Sequence, residues 1–403
     1  MTSTAQPKPR RAKGSGAITE RTTATGQRRY EARVSLPAVD GKPRRQAGKT
    51  FTNRADAQKW LTAQLKTVGD GMASADYRMT LGAWLEQWLS THPMRPTTRR
   101  GYTDLMRQHV IPRLGSVRLV DLRQGQLRAM YREIEADSLQ PVAEGTRKRR
   151  PVGRATTVKT HAVIRAALAE AQRDDYVPRN VAELVKLKPA DKAVRHTWDV
   201  EQVRAFTTAT ADDRLAALWL LLLRTGLRRG EALGLRWSDV TLDAGPGSYP
   251  QAQVVQQVVS VGGEIQRGEP KTDNGRRVVA LDPAVVAALR AWRKRQAAER
   301  LAAGPAWQGD PEVFTREDGR VLEPGWVTKR FQRLTTAAGL PVIRLHDTRH
   351  TSLSQLLAAG VPMADVSKLA GHSDIRVTVN TYGHLQADNR LAAAMLLAAR
   401  MDG

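Results

Sequence analysis

Two short polar stretches, GDGMASADYR at 69–78 and PADKAVRH at 189–196, interrupt the apolar patterning of this chain. No single core can run through breaks of that kind, so the 403 residues must fold as separate modules. Hydrophobic residues make up 41% of the chain, enough for each module to bury a core of its own. Cysteine is absent, which excludes disulfide staples, cysteine-based zinc sites and a thiol nucleophile. The division is a basic tail at 1–16, expected to be disordered, a small module at 17–70, a helical module at 77–189 and a large module at 195–403.

The small module opens with AITER, YEARVSL and RQAGKTF, short extended runs separated by the turn-rich TTATGQ and PAVDGKP. That pattern predicts a three-stranded antiparallel meander. Ala57, Trp60, Leu61, Ala63, Leu65 and Val68 then repeat near helical spacing, predicting a helix over 54–68 against the sheet. In the second module, Leu81, Trp84, Leu85, Trp88 and Leu89 fall at i, i+3, i+4, i+7 and i+8, the stripe of a helix facing a core. Further helices are expected from Pro96 to about Val110, at 123–136 and at 156–175. The third module is helical over about 199–235. VVQQVVSV and RRVVAL then form an extended hairpin region around a turn, and the rest is helical to the end. The fold class is multidomain and mainly α, with an α+β first module and a small sheet inside the last.

Lys plus Arg number 64 against 40 Asp plus Glu, a formal net charge of +24. On a folded chain this points to a polyanion, since neutralising phosphates releases their condensed counterions. Arg28, Arg29, Arg33, Arg44, Arg45 and Lys49 lie on the strands and turns of the first module, where a sheet could lay them in a DNA major groove. The competing reading is an open sheet face that is merely solvated. Arg147, Lys148, Arg149 and Arg150, in EGTRKRRPVGR, form a basic loop with the same two readings. The first residues lack a secretory leader and no apolar run is long enough to span a membrane, so a soluble cytoplasmic protein is expected, nucleoid-associated when bound to DNA.

The third module concentrates chemistry. LLLRTGLRRGEALGLRWSDV sets Arg228 three residues before Glu231, and side chains so spaced meet on a helix. Lys271 lies beside the turn residues of the hairpin. HDTRH supplies His346, Arg349 and His350, and AGHSDIRVTVNTYGH supplies His372 and, ten residues on, Tyr382. Singly, each has a bland reading: a surface ion pair, a solvated lysine, a packed aromatic. Together they suit phosphodiester transfer. Forked guanidiniums match the two non-bridging phosphate oxygens. A tyrosine hydroxyl, with a pKa near 10, needs cations to favour its phenolate and a neighbouring histidine to accept its proton. A lysine ammonium can protonate the departing oxygen. A phosphotyrosyl product retains the bond energy, so resealing needs no ATP and no cofactor. No carboxylate cluster has metal-binding spacing, and no metal is expected in the chemistry.

TGLRRGEALGLRWSDV, HDTRHTSLSQLLAAGV and AGHSDIRVTVNTYGH closely resemble the signature boxes of the tyrosine recombinases, in particular the integrases of temperate phages and integrative elements. All three occur in order, with PKT between the first two. The resemblance implies that Arg228 and Arg349 hold the scissile phosphate and that Lys271 is general acid towards the 5′ hydroxyl. His346 would act in proton transfer, and His372 would hydrogen-bond a non-bridging oxygen. Tyr382 would be the nucleophile of a 3′-phosphotyrosyl link, with Glu231 and His350 in supporting roles. It further implies an arm-binding domain at 17–70, a core-binding domain at 77–189 that helps clamp the duplex, and a homotetramer passing through a Holliday junction. A directionality factor and a host DNA-bending protein are partners the family commonly uses. The tail LQADNRLAAAMLLAARMDG carries Leu391, Met395 and Leu396 on one helix, free to dock on its own core or on a neighbour. The expected function is integration and excision of a mobile element at attachment sites. The alternatives are a Xer-like resolvase, a type IB topoisomerase or a catalytically idle DNA-binding regulator.

Overall fold

The computed structural model describes residues 16–23, 26–35, 46–69, 78–137, 152–190, 196–270 and 273–383, with isolated positions 395, 398, 400 and 401 beyond them. Two compact units divide it, Met1–Lys192 and Ala193–Gly403.

In the first unit, β1 (Ala17–Thr22), β2 (Arg28–Ser35) and β3 (Gln46–Phe51) form an antiparallel sheet in the order β1-β2-β3. Helix α1 (Arg54–Gly69) covers one face, burying Ala57 and Leu61 against Ala32 and Val34 of β2. The strand period of two then sends Arg29 and Arg33 to the opposite, open face. Opposite residues of a ladder share a face, so Arg21, paired with Arg29, joins them.

The helical part of this unit comprises α2 (Leu81–Thr91), α3 (Pro96–Leu105), α4 (Ile111–Leu114), α5 (Gln124–Asp137) and α6 (Arg154–Arg173). Thr80 caps α2 by accepting a hydrogen bond from the Ala83 N–H at 3.2 Å. The stripe read from the sequence is the buried face: Leu81, Trp84, Leu85, Trp88 and Leu89 are each 3% exposed or less. Their indoles also find acceptors, Trp84 donating to the Ala167 carbonyl and Trp88 to Glu170, both at 2.9 Å. A single π turn, Met106–Val110, joins α3 to α4, where Pro112 has no N–H to continue the α-helical ladder.

The second unit contains α7 (Val200–Ala209), α8 (Ala216–Thr225), α9 (Arg229–Gly234), β4 (Val240–Thr241), β5 (Gln251–Val254), β6 (Gln257–Val261), β7 (Glu264–Gly268) and β8 (Arg277–Ala280). Then follow α10 (Pro283–Ala303), α11 (Pro324–Ala337), α12 (Asp347–Ala358), α13 (Met363–Ala370) and α14 (Ile375–Tyr382). Trp198, Phe206, Trp219 and Phe331 pack ring against ring at the centre of its core. The strands differ from the sequence expectation. RRVVAL does not close a hairpin with VVQQVVSV; β8 pairs with β5, and β4 flanks β5 on the other side. Gly262 and Gly263, with φ of +65° and +94°, make a two-residue turn that folds β6 onto β7 instead.

Candidate active site

The site forms where helices of the second unit begin and end. Helix α8 stops at Gly226, whose φ of +65° is the left-handed conformation that glycine adopts freely. Two residues on, Arg228 caps the start of α9, and the Glu231 carboxylate reaches back to accept its backbone N–H at 2.9 Å. Glu231 also accepts from the Arg228 guanidinium at 2.6 Å and from Arg277 of β8 at 2.8 Å. Glu231 is only 2% exposed. Burial alone would raise its pKa, but the hydrogen bond and charge of Arg277, then the charge and N–H of Arg228, reverse the balance and hold it below the ordinary carboxylate value.

Arg277 was not legible as a site residue. Its guanidinium is nearly enclosed, donating to the Leu369 carbonyl at 2.8 Å and the Gly275 carbonyl at 3.2 Å as well as to Glu231. One side chain therefore joins β8, the first box and the end of α13.

Helix α12 begins after His346, at its N-cap, and carries Arg349 inward to 2% exposure. Its guanidinium donates to the carbonyls of Gly226, at 2.8 Å, and of Ala370. Those carbonyls close α8 and α13, so the partial negative charge of two helix C-termini faces the cation. Burial, then the charge of Arg228, lowers the pKa of Arg349 to about 9, which leaves it charged at neutral pH.

Helix α13 ends in Gly371, left-handed at φ +61°, and His372 follows. Its Nε2 lies 3.3 Å from an Arg349 nitrogen and its Nδ1 2.7 Å from the buried Thr378 hydroxyl. A guanidinium only donates, so Nε2 accepts and the proton sits on Nδ1; the Thr378 hydroxyl can turn to serve the other tautomer. Burial first, then Arg349, Arg228 and Arg277, depress His372 to about 4. Burial and Arg349 likewise lower His346. Both histidines are neutral at pH 7. Asn274, three residues beyond Lys271, donates to the His372 carbonyl at 3.3 Å.

Tyr382 closes α14 and is 3% exposed, against Leu353, Leu357, Val366 and Ala370. Its hydroxyl lies 2.5 Å from His350 Nδ1. The His350 ring meets that of His346 edge-on at 5.3 Å. The fold thus gathers Arg228, Glu231, His346, Arg349, His350, His372 and Tyr382. Lys271 lies outside the described residues, as do Arg44, Arg45 and the basic run Arg147, Lys148, Arg149 and Arg150. Of the other basic residues singled out from the sequence, Arg29 and Arg33 share the open face of the first sheet. Arg28 and Lys49 alternate to the opposite side, Arg28 pairing with Glu20 and Lys49 lying 5.6 Å over the Phe51 ring. Among the described residues no group of His, Asp and Glu is arranged to hold a metal ion.

Comparison with known proteins gives the chain its family. Residues 197–389 match the phage integrase family, and residues 80–134 match its N-terminal SAM-like domain. An integrase of Streptomyces ambofaciens is 30% identical over 352 residues, covering 84% of each chain. The chain belongs to the phage integrase family. A XerC-like tyrosine recombinase of Caldanaerobacter subterraneus is 34% identical over 198 residues, but these span 47% of this chain and 50% of the relative. The integrase also shares its fold with the Tn1549 transposon integrase solved with a circular-intermediate DNA, at a TM-score of 0.65 and 21% identity over 79% of this chain and 99% of that one. It is a site-specific recombinase of the tyrosine type, an integrase rather than a Xer-like resolvase or an idle regulator. No helix among the described residues is long and apolar enough to cross a membrane.

Proposed function

We propose that this integrase cuts and rejoins double-stranded DNA through a covalent link to Tyr382. The observation that carries the reading is the convergence of Tyr382, two guanidiniums and neutral imidazoles at the helix ends described above. Arg228, half-exposed, and Arg349 hold the scissile phosphate and offset the charge that develops on its non-bridging oxygens. Glu231 orients Arg228. Neutral His346 moves a proton at the phosphate. Neutral His372 donates from Nε2 to a phosphate oxygen in the other tautomer, with the Thr378 hydroxyl turned to donate to Nδ1. Lys271 protonates the departing 5′ oxygen, the role the family resemblance gives it.

Each chain carries one such tyrosine, and exchanging both strands of two duplexes takes four cleavages. Four copies on two duplexes, with a Holliday junction between the strand exchanges, satisfy that count. The open sheet face with Arg21, Arg29 and Arg33 serves the 17–70 module in gripping accessory DNA sites, and the 77–189 module completes the hold on the core site. The test uses a nicked suicide duplex carrying a repeated core taken from DNA flanking the gene. Wild-type protein should give a denaturant-resistant protein–DNA adduct, and Tyr382→Phe should bind the same duplex without forming one. An adduct with the phenylalanine variant would refute this nucleophile.

A further inference from the structure

We propose that His350 is a catalytic residue of this integrase, the group that takes the proton from the Tyr382 hydroxyl as it attacks. This rests on Tyr382 being the nucleophile.

Three features of the site lead to it. First, the contact is direct: His350 Nδ1 lies 2.5 Å from the hydroxyl oxygen, within the hydrogen-bond reach that a general base needs. Second, Tyr382 is 3% exposed, so bulk water is poorly placed to receive its proton and a side chain must do so. Third, the surroundings favour a proton on this particular imidazole. The Asp347 carboxylate, bonded to Arg344 one turn before α12, interacts electrostatically with His350 and steadies an imidazolium. His346, edge-on at 5.3 Å, is held neutral and adds no competing charge. Arg349 is the nearest cation along the helix; it interacts with Tyr382, and its charge favours the phenolate. Adjacent residues on a helix point in directions about 100° apart, so Arg349 can face the helix-end carbonyls while His350 faces α14.

The step balances. With its proton on Nε2, the neutral His350 offers the Nδ1 lone pair. The Oη–H bond breaks towards Nδ1, the Oη–P bond forms, and the P–O5′ bond breaks as the 5′ oxygen leaves with a proton from the general acid. Rejoining reverses each transfer, the imidazolium returning its proton to the phenolate.

The experiment compares wild type, His350→Ala and His350→Gln in adduct formation on the nicked duplex from pH 5.5 to 9, with DNA affinity measured alongside. Glutamine keeps a hydrogen bond to the hydroxyl but takes no proton. Both variants should bind DNA within about twofold of wild type and cleave roughly 100-fold more slowly or worse. Their rates should climb about tenfold per pH unit towards the tyrosine's own ionisation, where the wild-type profile has levelled. Free imidazole should restore part of the rate of the alanine variant. Cleavage by His350→Gln within about threefold of wild type would overturn the proposal and leave His350 as an anchor, as would a slow variant with the wild-type pH profile and no response to imidazole. A wild-type protein that formed no adduct would instead defeat the Tyr382 reading beneath it.

Discussion

Replacing Arg277 by methionine tests the claim that one buried arginine holds the first box in place. The substitution keeps much of the side-chain volume and removes a guanidinium that reaches Glu231, Leu369 and Gly275. Glu231 stays 2% exposed and retains Arg228 as its counter-ion. Stripping a buried charge of its partner costs about 3–5 kcal/mol; Glu231 keeps Arg228, so the loss of Arg277 belongs at the lower end, about 3 kcal/mol. For a domain the size of this unit each kcal/mol moves the melting temperature by about 2–4 °C, which puts the fall at roughly 6–12 °C. The cost should depend on pH. In the wild type Glu231 titrates below its ordinary value, so its contribution is present above the unfolded carboxylate pKa and is lost as pH falls through the folded one. Without Arg277 burial acts with less opposition and the carboxyl titrates higher. The deficit of the variant should then shrink on acidification, by at most about 1.4 kcal/mol per pH unit. Calorimetry of the full chain at pH 7 and pH 5 reads both effects. Glu231→Gln added to Arg277→Met should recover part of the loss, since the stranded charge is gone. A single variant within about 3 °C of wild type at pH 7, or a double variant no better than the single, would refute the reasoning.

Two other perturbations follow from the same geometry. Gly226→Ala forces a left-handed residue to carry a Cβ that would sit 3.1 Å from the Ser352 hydroxyl oxygen, a strain of about 1–2 kcal/mol before any repacking. Because the Gly226 carbonyl also holds Arg349, thermal unfolding should come earlier and adduct formation should slow together; a variant altered in neither would separate that carbonyl from the site. His372, depressed to about 4, should show a C2–H resonance that stays flat from pH 8 to pH 5 and moves only below. Its unfolded form takes up a proton first, so the folded protein loses stability as pH falls from about 6.5 towards 4, and a midpoint near 6.5 in the folded state would contradict the burial and arginine charges that depress it.

What the sequence disclosed divides along physical lines. The stripe at Leu81, Trp84, Leu85, Trp88 and Leu89 was legible because burial on a helix imposes a 3.6-residue period, and the meander was legible because turns need particular residues. The boxes were legible as chemistry, since two arginines, three histidines and a tyrosine have few other uses together. Pairing was not. Gly262 and Gly263 could be recognised as turn residues, but that β8 would pass over β6 to pair with β5 depends on where the sheet lies against the core, which no local pattern encodes. Arg277 looked like one more cation on a strand, because its partners stand 46 and 92 residues away. His350 could be placed beside Arg349 but not against Tyr382, 32 residues on.

The site itself explains why periodicity could not find it. Its parts are helix ends rather than helix faces: Gly226 and Ala370 close α8 and α13, Arg228 and His346 open α9 and α12, and Tyr382 closes α14. Helix ends carry the backbone groups that the helix leaves unbonded, and these are what a buried cation needs. Arg349 could not stay charged at 2% exposure beside Arg228 without the two terminal carbonyls it bonds. Those carbonyls are free only because glycines turn the chain aside at Gly226 and Gly371. The glycine that ends a helix and the buried arginine that its carbonyl holds are therefore one device, and neither would persist in this form without the other.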